Sequence, residues 1–192
     1  MIVLFSLPNI LTYFRILLIP LIVVVYYLPY RHANALAMGL FVFAAITDWL
    51  DGYLARQLNQ SSPFGAFLDP VADKLIVAAA LLLLVSDQTV RALVVDARVF
   101  TVVVLVIIGR EIAVSALREW MAEMGKRASV AVSVIGKIKT AAQMVAIALL
   151  LLGKPFWVFV TGELLLYLAA AFTLWSMFVY LRAAWPELIR PH

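Results

Sequence analysis

Apolar runs that stop abruptly at charged residues are the feature that most constrains the fold of this chain. The run ALAMGLFVFAAIT ends at Asp48, LIVAAALLLLV begins after Lys74, and VFTVVVLVIIG ends at Arg110. A helix that crosses a bilayer needs about 20 predominantly apolar residues. Because these runs are shorter, the membrane-spanning helices must include charged residues at one of their ends.

The composition indicates an integral membrane protein. The chain is 66% hydrophobic and 14% charged, whereas soluble domains are about 25% charged. Its 192 residues suit a single domain, 1–192, and the lack of cysteine excludes disulfide frameworks and thiolate metal sites. The net charge of +4 is typical of a basic inner membrane face and does not indicate a nucleic-acid partner. We expect the first apolar run to be a retained helix, because Arg15 interrupts it and no basic segment precedes it.

The apolar runs and the turn signals between them predict an all-α integral membrane protein with six transmembrane helices in a bundle. These helices lie near residues 8–29, 34–56, 66–86, 98–122, 129–152 and 156–182. With the N-terminus in the cytoplasm, the charged helix ends all fall on the inner side, in agreement with the positive-inside rule. Charged groups at membrane depth normally face a cavity or each other. The pattern therefore predicts a polar cavity open to the cytoplasm.

Four aspartates are concentrated between the second and third predicted helices. Asp48 and Asp51 are three residues apart and Asp69 and Asp73 are four apart, so each pair shares a helix face. The connection between the pairs is short, which makes the two helices antiparallel neighbours. Gathered carboxylates either share protons or hold hard cations such as Mg²⁺ or Mn²⁺. Pro70 either kinks the third helix or follows Asp69 as its N-cap.

Two small residues follow the first aspartate pair on the same helical sector. Gly52 and Ala55 carry almost no side chain. Small residues in membrane helices commonly serve close helix packing. The alternative is that they leave room for a bulky ligand against the backbone.

The spacing of eight residues in this region resembles the signature of the CDP-alcohol phosphotransferases. They are Asp48, Asp51, Gly52, Ala55, Arg56, Gly65, Asp69 and Asp73. The stretches SLPNILTYFRI and REIAVSALREWMAEMGKRASVAVSVIGKIKTAAQM extend the resemblance over nearly the whole chain. It implies six transmembrane helices in a bacterial inner membrane, a cytoplasm-facing active site, a homodimer and two Mg²⁺ or Mn²⁺ ions. The implied reaction moves a phosphatidyl group from CDP-diacylglycerol to an alcohol, here sn-glycerol 3-phosphate, and releases CMP.

The resemblance also implies roles for individual residues. Asp48, Asp51, Asp69 and Asp73 would be metal ligands, and Asp73 would also be the general base. The residues implied around CDP-diacylglycerol are Asn9, Thr12, Gly52, Ala55, Arg56, Ser62 and Gly65.

Basic residues near the inner ends of the fourth and fifth helices suit the phosphate of the implied acceptor. They are Arg110, Arg118, Lys137 and Lys139. Guanidinium groups match phosphate in a bidentate manner. The alternative for basic residues at this depth is ordinary positive-inside anchoring. Arg110 favours the functional interpretation, because it interrupts an apolar run at a cost of a few kcal/mol.

Two other functions fit part of the pattern. A member of the same family could use inositol phosphate, phosphatidylglycerol or serine as acceptor, and inositol phosphate would need similar cations. An ion or proton transporter would also place carboxylates inside the membrane. A transport path needs polar residues that reach both faces, whereas the outer halves of these helices are nearly all apolar.

Overall fold

The computed structural model describes residues 7–58, 63–124 and 134–188. Within these ranges the chain forms helices and no strand, which confirms the all-α prediction. The helices are α1 (Leu7–Tyr26), α2 (Ala33–Leu58), α3 (Pro63–Ser86), α4 (Gln88–Leu93), α5 (Ala97–Glu123), α6 (Val134–Leu152) and α7 (Phe156–Leu188).

Most helix ends lie close to the predicted positions, with clear exceptions at α1, α3 and α7, and the predicted start of the fifth helix near residue 129 lies outside the described residues. Helix α1 ends at Tyr26 and not near residue 29, because Pro29 disfavours helical backbone at the residue before it. Helix α7 continues past residue 182 to Leu188. Helix α3 begins at Pro63, so Pro70 lies inside it and Asp69 is not its N-cap. The capping interpretation of Pro70 was therefore wrong.

The short helix α4 was not predicted, because a local cap and not an apolar run determines it. The Asp87 carboxylate accepts hydrogen bonds from the backbone N–H of Thr89 at 2.6 Å and of Val90 at 3.3 Å. The Tyr26 hydroxyl donates to the same carboxylate at 2.7 Å. Burial raises the pKa of Asp87, but these hydrogen bonds outweigh burial and hold it below its usual range.

The long helices pack around one apolar core. Helix α1 lies against α2 and α3, α6 lies against α2 and α7, and α5 lies against α3 and α7. Large buried side chains of this core include Phe41, Leu81, Phe100, Ile147 and Phe159.

The outer surface is apolar as well. Leu17, Leu105 and Trp175 are each about two-thirds exposed, at 67%, 68% and 66%, and apolar exposure on this scale marks a membrane contact. In the described residues, four segments are long and apolar enough to cross a bilayer: Asn9–Tyr26, Ala33–Leu50, Ala97–Glu123 and Phe156–Arg182. The chain is therefore a membrane protein, and the count of six spans stays a prediction.

Close packing of α6 on α7 depends on small residues and a tight turn. Gly153 ends α6 with a φ of 70°, in the left-handed region that glycine adopts most easily. A Cβ atom at Gly162 would lie 3.0 Å from Leu149 Cβ and 3.1 Å from the Ala146 carbonyl oxygen. The two helices therefore approach at Gly162 to a distance that leaves no room for a side chain.

We expect Gly162→Leu to lower the free energy of unfolding by about 1–3 kcal/mol, because an overpacked side chain forces the two helices apart. Gly39→Leu is the matched control, since a Cβ there meets nothing within 4 Å among the described residues. Thermal unfolding in detergent measures both variants. Equal loss of stability in the two would contradict the close contact.

Candidate active site

Residues of three helices meet at one end of the bundle, which we call the polar end and define by Thr12, Arg15, Asp48, Asp69 and Asp73. The Arg15 guanidinium lies 2.5 Å from the Asp48 carboxylate. The Thr12 hydroxyl donates a hydrogen bond to the Asp69 carboxylate. Helix α1 therefore links the aspartates of α2 and α3, and these two helices also contact each other, as predicted.

The three aspartates whose side chains are described lie within electrostatic range of each other. The Asp48 carboxylate interacts with those of Asp69 and Asp73. Among the described residues, Arg15 and Lys74 supply positive charge to Asp73. Like charges in a low dielectric repel strongly. A bound cation would therefore reduce the repulsion among these carboxylates.

One atom of Asp73 indicates where a further group would bind. Its Oδ1 is buried and has no hydrogen-bond partner among the described residues. A buried carboxylate oxygen without a partner is costly. A cation or a ligand hydroxyl at this oxygen would remove that cost.

The carboxylates fit a hard divalent cation by the chemistry of their donors. Oxygen ligands suit Mg²⁺ and Mn²⁺, and the unpartnered Asp73 oxygen is available to such an ion. Among the described residues, no group of three carboxylate, imidazole or thiolate side chains is arranged so that it could hold a metal ion. Asp51, the fourth predicted ligand, lies on α2 with its side chain outside the described residues.

A cavity of about 570 Å³ opens beside Asp73, between α3, α5, α6 and α7. Its polar lining consists of acidic, basic and hydroxyl-bearing side chains. The charged residues that line it are Asp73, Lys74, Arg110, Glu111, Arg118 and Glu119. Asp73 therefore belongs both to the aspartate group and to the wall of this cavity.

Two cations of the cavity contact hydroxyl groups and not carboxylates. The Lys74 Nζ donates to Ser115 Oγ at 2.5 Å. The Arg118 guanidinium stacks 5.3 Å over the Tyr180 ring and donates to its hydroxyl at 3.4 Å. Within the described parts of the chain neither cation forms an ion pair, so their charges remain available to an anionic ligand.

Arg110 and Lys139 are held differently. Arg110 Nη1 lies 2.6 Å from Glu111 Oε1, and its Nη2 donates to Ser176 Oγ at 3.0 Å. The Lys139 Nζ lies 3.2 Å from the same Glu111 oxygen. Lys139 is buried and is not part of the described cavity lining. Of the four predicted phosphate-binding residues, Arg110 and Arg118 thus line the cavity directly.

For most of the remaining predicted site residues, the structure gives the helix on which they lie but no side-chain contact. Asn9 is buried on α1, on the face that carries Thr12, and Gly65 is buried on α3. Those with side chains outside the described residues are Gly52, Ala55 and Arg56 on α2 and Lys137 on α6. Ser62 lies outside the described residues altogether.

Several residues of the site were not assigned from the sequence. Arg15 is fully buried and pairs with Asp48; its signal was a charge spaced by three residues from Thr12 inside an apolar helix. Lys74 had a signal too, since it directly follows Asp73. No signal in the sequence marked Ser115, Ser176 and Tyr180, because their role depends on which side of each helix faces the cavity.

Comparison with known proteins identifies the family. The sequence profile of the CDP-alcohol phosphatidyltransferase family matches residues 5–175. The chain belongs to this family. The match includes all eight residues of the predicted signature and the cavity-lining residues of α3, α5 and α6, whereas Tyr180 of α7 lies beyond it.

Bacterial members of the family are similar over almost their whole length. Three of them are named CDP-diacylglycerol–glycerol-3-phosphate 3-phosphatidyltransferase. The protein of Salmonella choleraesuis (strain SC-B67) is 52% identical over 185 residues, 96% of this chain and 98% of the relative. That of Pseudomonas fluorescens is 54% identical over 187 residues, 95% and 92%. That of Escherichia coli (strain K12) is 51% identical over 185 residues, 96% and 98%.

Proposed function

We propose that this chain transfers the phosphatidyl group of CDP-diacylglycerol to sn-glycerol 3-phosphate, giving phosphatidylglycerophosphate and CMP. The observation that carries the proposal is the position of Asp73, shared between the aspartate group and a cavity lined by Arg110 and Arg118. A transferase for an anionic alcohol needs this combination. The names of the bacterial relatives support the same substrates.

The aspartate group would hold the nucleotide end of the lipid substrate. Asp48, Asp51, Asp69 and Asp73 would bind two Mg²⁺ or Mn²⁺ ions, which neutralise a diphosphate and stabilise a phosphate leaving group. Arg15 and Thr12 orient Asp48 and Asp69 for this task. The proposed contacts to CDP-diacylglycerol are Asn9, Thr12, Gly52, Ala55, Arg56, Ser62 and Gly65.

The cavity would hold the acceptor. Glycerol 3-phosphate carries a dianionic phosphate, and charge-assisted hydrogen bonds from guanidinium and ammonium groups suit it. Arg118 and Lys74 are the cations without a carboxylate partner in the described structure, so they bind the phosphate most directly. Arg110 supports them from the cavity wall, and Lys137 and Lys139 add positive charge from α6.

Asp73 would act on the proton of the acceptor. Its carboxylate accepts the proton of the C1 hydroxyl while that oxygen forms a bond to the phosphorus that bears diacylglycerol. The bond from this phosphorus to the oxygen of CMP breaks, and CMP leaves. A positioned carboxylate base contributes about 10²–10⁴-fold to such a step.

We further propose that residues 1–192 form one domain with six membrane-spanning helices and a cytoplasmic N-terminus. The polar end, with the cavity, would then face the cytoplasm of a bacterial inner membrane. Basic residues are more numerous at the predicted inner ends of the helices than at the outer ends, which supports this orientation. The proposed assembly is a homodimer, as in the family that the sequence resembles.

An acceptor comparison with purified enzyme in detergent tests the proposed function. Each reaction contains CDP-diacylglycerol, Mg²⁺ and one labelled acceptor: glycerol 3-phosphate, serine, inositol phosphate or phosphatidylglycerol. Metal-dependent CMP release with glycerol 3-phosphate alone is the expected result. Turnover with another acceptor would reassign the cavity, and no CMP release with any acceptor would contradict a transferase.

Substitution of Arg118 by Gln tests the acceptor side of the site. We expect the KM for glycerol 3-phosphate to rise about 10–100-fold, because a charge-assisted hydrogen bond contributes about 1.5–3 kcal/mol. The KM for CDP-diacylglycerol should change little. Arg98→Gln is the matched control, since Arg98 is exposed near the start of the same helix. Equal increases in both KM values for Arg118→Gln would exclude an acceptor-specific role.

A further inference from the structure

The Glu111 carboxylate contacts two buried cations, Arg110 and Lys139. Its Oε1 is 2.6 Å from Arg110 Nη1 and 3.2 Å from Lys139 Nζ. Arg110 and Lys139 are 7% and 2% exposed, whereas the Glu111 side chain is 29% exposed. Glu111 lines the cavity and Lys139 does not. Lys139 therefore contacts a residue of the cavity wall without lining the cavity itself.

We propose that Glu111 is a positioning residue of the acceptor site, which holds Arg110 in the cavity wall and keeps Lys139 behind it as a counter-ion. The inference rests on the proposed function, because it concerns the acceptor that the cavity binds. Ser176 completes the arrangement by accepting a hydrogen bond from the second terminal nitrogen of Arg110. Both terminal nitrogens of this guanidinium thus have a fixed partner.

The need for such a residue follows from the other carboxylate of the cavity. Asp73 lines the same space as Arg110 and has an oxygen without a partner among the described residues. Opposite charges in a low dielectric attract strongly. Without Glu111, we expect Arg110 to turn toward Asp73, where it would occupy the carboxylate that has to accept the proton.

Loss of Glu111 would also leave two buried cations without their shared carboxylate. Removing one partner of a buried ion pair is costly because the remaining charge is uncompensated. With Arg110 and Lys139 side by side, their mutual repulsion would displace Arg110 from its place in the wall.

A simple charge argument predicts the opposite effect on binding, which makes the proposal testable. Removal of a carboxylate raises the net charge of the cavity by one unit. If Glu111 acted only through its charge, a dianionic acceptor would bind more tightly without it. If Glu111 positions Arg110, the acceptor binds more weakly.

The test compares Glu111→Gln with Glu119→Gln in the full-length protein. Glu119 lies on the same helix, lines the same cavity, is exposed and forms no ion pair within the part of the chain that the structure describes. Binding of glycerol 3-phosphate is measured by isothermal titration in detergent, and the KM values for both substrates are measured alongside. We expect at least about tenfold weaker acceptor binding for Glu111→Gln, and unchanged or tighter binding for Glu119→Gln.

Two further variants separate positioning from a general loss of structure. Glu111→Asp keeps the charge and should recover part of the acceptor affinity. In the double variant Glu111→Gln, Lys139→Met the excess buried charge is gone, so acceptor affinity should be no lower than in Glu111→Gln. A double variant that binds still more weakly would overturn the proposed role of Lys139 as a counter-ion behind Glu111.

Failure of the positioning role of Glu111 and failure of the proposed reaction give different results. Acceptor binding without product formation in the unsubstituted protein would contradict the reaction, and the effect of Glu111→Gln on binding would still decide the role of Glu111. Unchanged or tighter binding by Glu111→Gln would overturn the positioning role while the reaction stands. Absence of glycerol 3-phosphate binding in the unsubstituted protein would overturn both.

Discussion

Replacement of Asp73 by asparagine is expected to lower kcat by about 10²–10⁴-fold, the range that a positioned general base contributes. Asparagine has almost the same shape as aspartate but does not accept a proton at neutral pH. Asp73 is the carboxylate that lines the cavity and also interacts with Asp48. The substitution therefore removes the proposed base where the acceptor and the aspartate group meet. Measurement of CMP release at saturating substrates gives kcat directly.

Asp96→Asn is the matched control for this substitution. Asp96 caps the N-terminal end of α5, away from Asp73, and accepts hydrogen bonds from Arg98 and Val99 N–H. Asparagine is also a good N-cap, so this variant should fold and turn over normally. Near-normal turnover by Asp73→Asn with divalent metal present would remove Asp73 from the role of base.

The second large effect is expected on stability, from replacement of Arg15 by methionine. Arg15 is completely buried and lies 2.5 Å from Asp48. Removal of one partner from a buried ion pair costs about 3–5 kcal/mol, because the other charge is left uncompensated. Asp48 is 37% exposed, so we expect a loss near the lower end, about 3 kcal/mol. Thermal unfolding in detergent with a metal chelator present measures it.

The double variant Arg15→Met, Asp48→Asn tests the cause of that loss. Because both charges are removed together, it should recover most of the stability that Arg15→Met loses. Arg31→Met is the control for loss of a single arginine, since Arg31 is exposed at the other end of the bundle. If the double variant were as unstable as Arg15→Met, the loss would come from packing of the arginine stem and not from the ion pair.

Much of the fold was predictable because apolar runs and charges carry the dominant signal in a membrane protein. Helices α2 and α5 begin and end within two residues of the predicted positions, since charges or turn residues bound their apolar runs. Helix α4 was missed because an Asp87 side-chain cap produces it, and hydropathy does not report caps. The extension of α7 to Leu188 was missed because the predicted end was set at Arg182, where the apolar run stops, and a helix can continue past its apolar segment.

The site was predictable only in part for a related reason. Residues three or four apart share a helix face, so each aspartate pair could be assigned to one face from spacing alone. The pairing of Arg15 with Asp48 and of Glu111 with Arg110 and Lys139 depends on how each helix is rotated against its neighbours. The spacing of residues along one helix does not determine how that helix is rotated against its neighbours. These ion pairs therefore emerge only when the helices are packed.

The most direct test of the central claim follows one oxygen atom through the reaction. Glycerol 3-phosphate labelled with heavy oxygen at its C1 hydroxyl is incubated with CDP-diacylglycerol, Mg²⁺ and the purified enzyme, and the products are analysed by mass spectrometry. The account predicts that all transferred label appears in phosphatidylglycerophosphate and that CMP carries none. Label in a cytidylyl product, or no labelled lipid at all, would contradict phosphatidyl transfer to this acceptor.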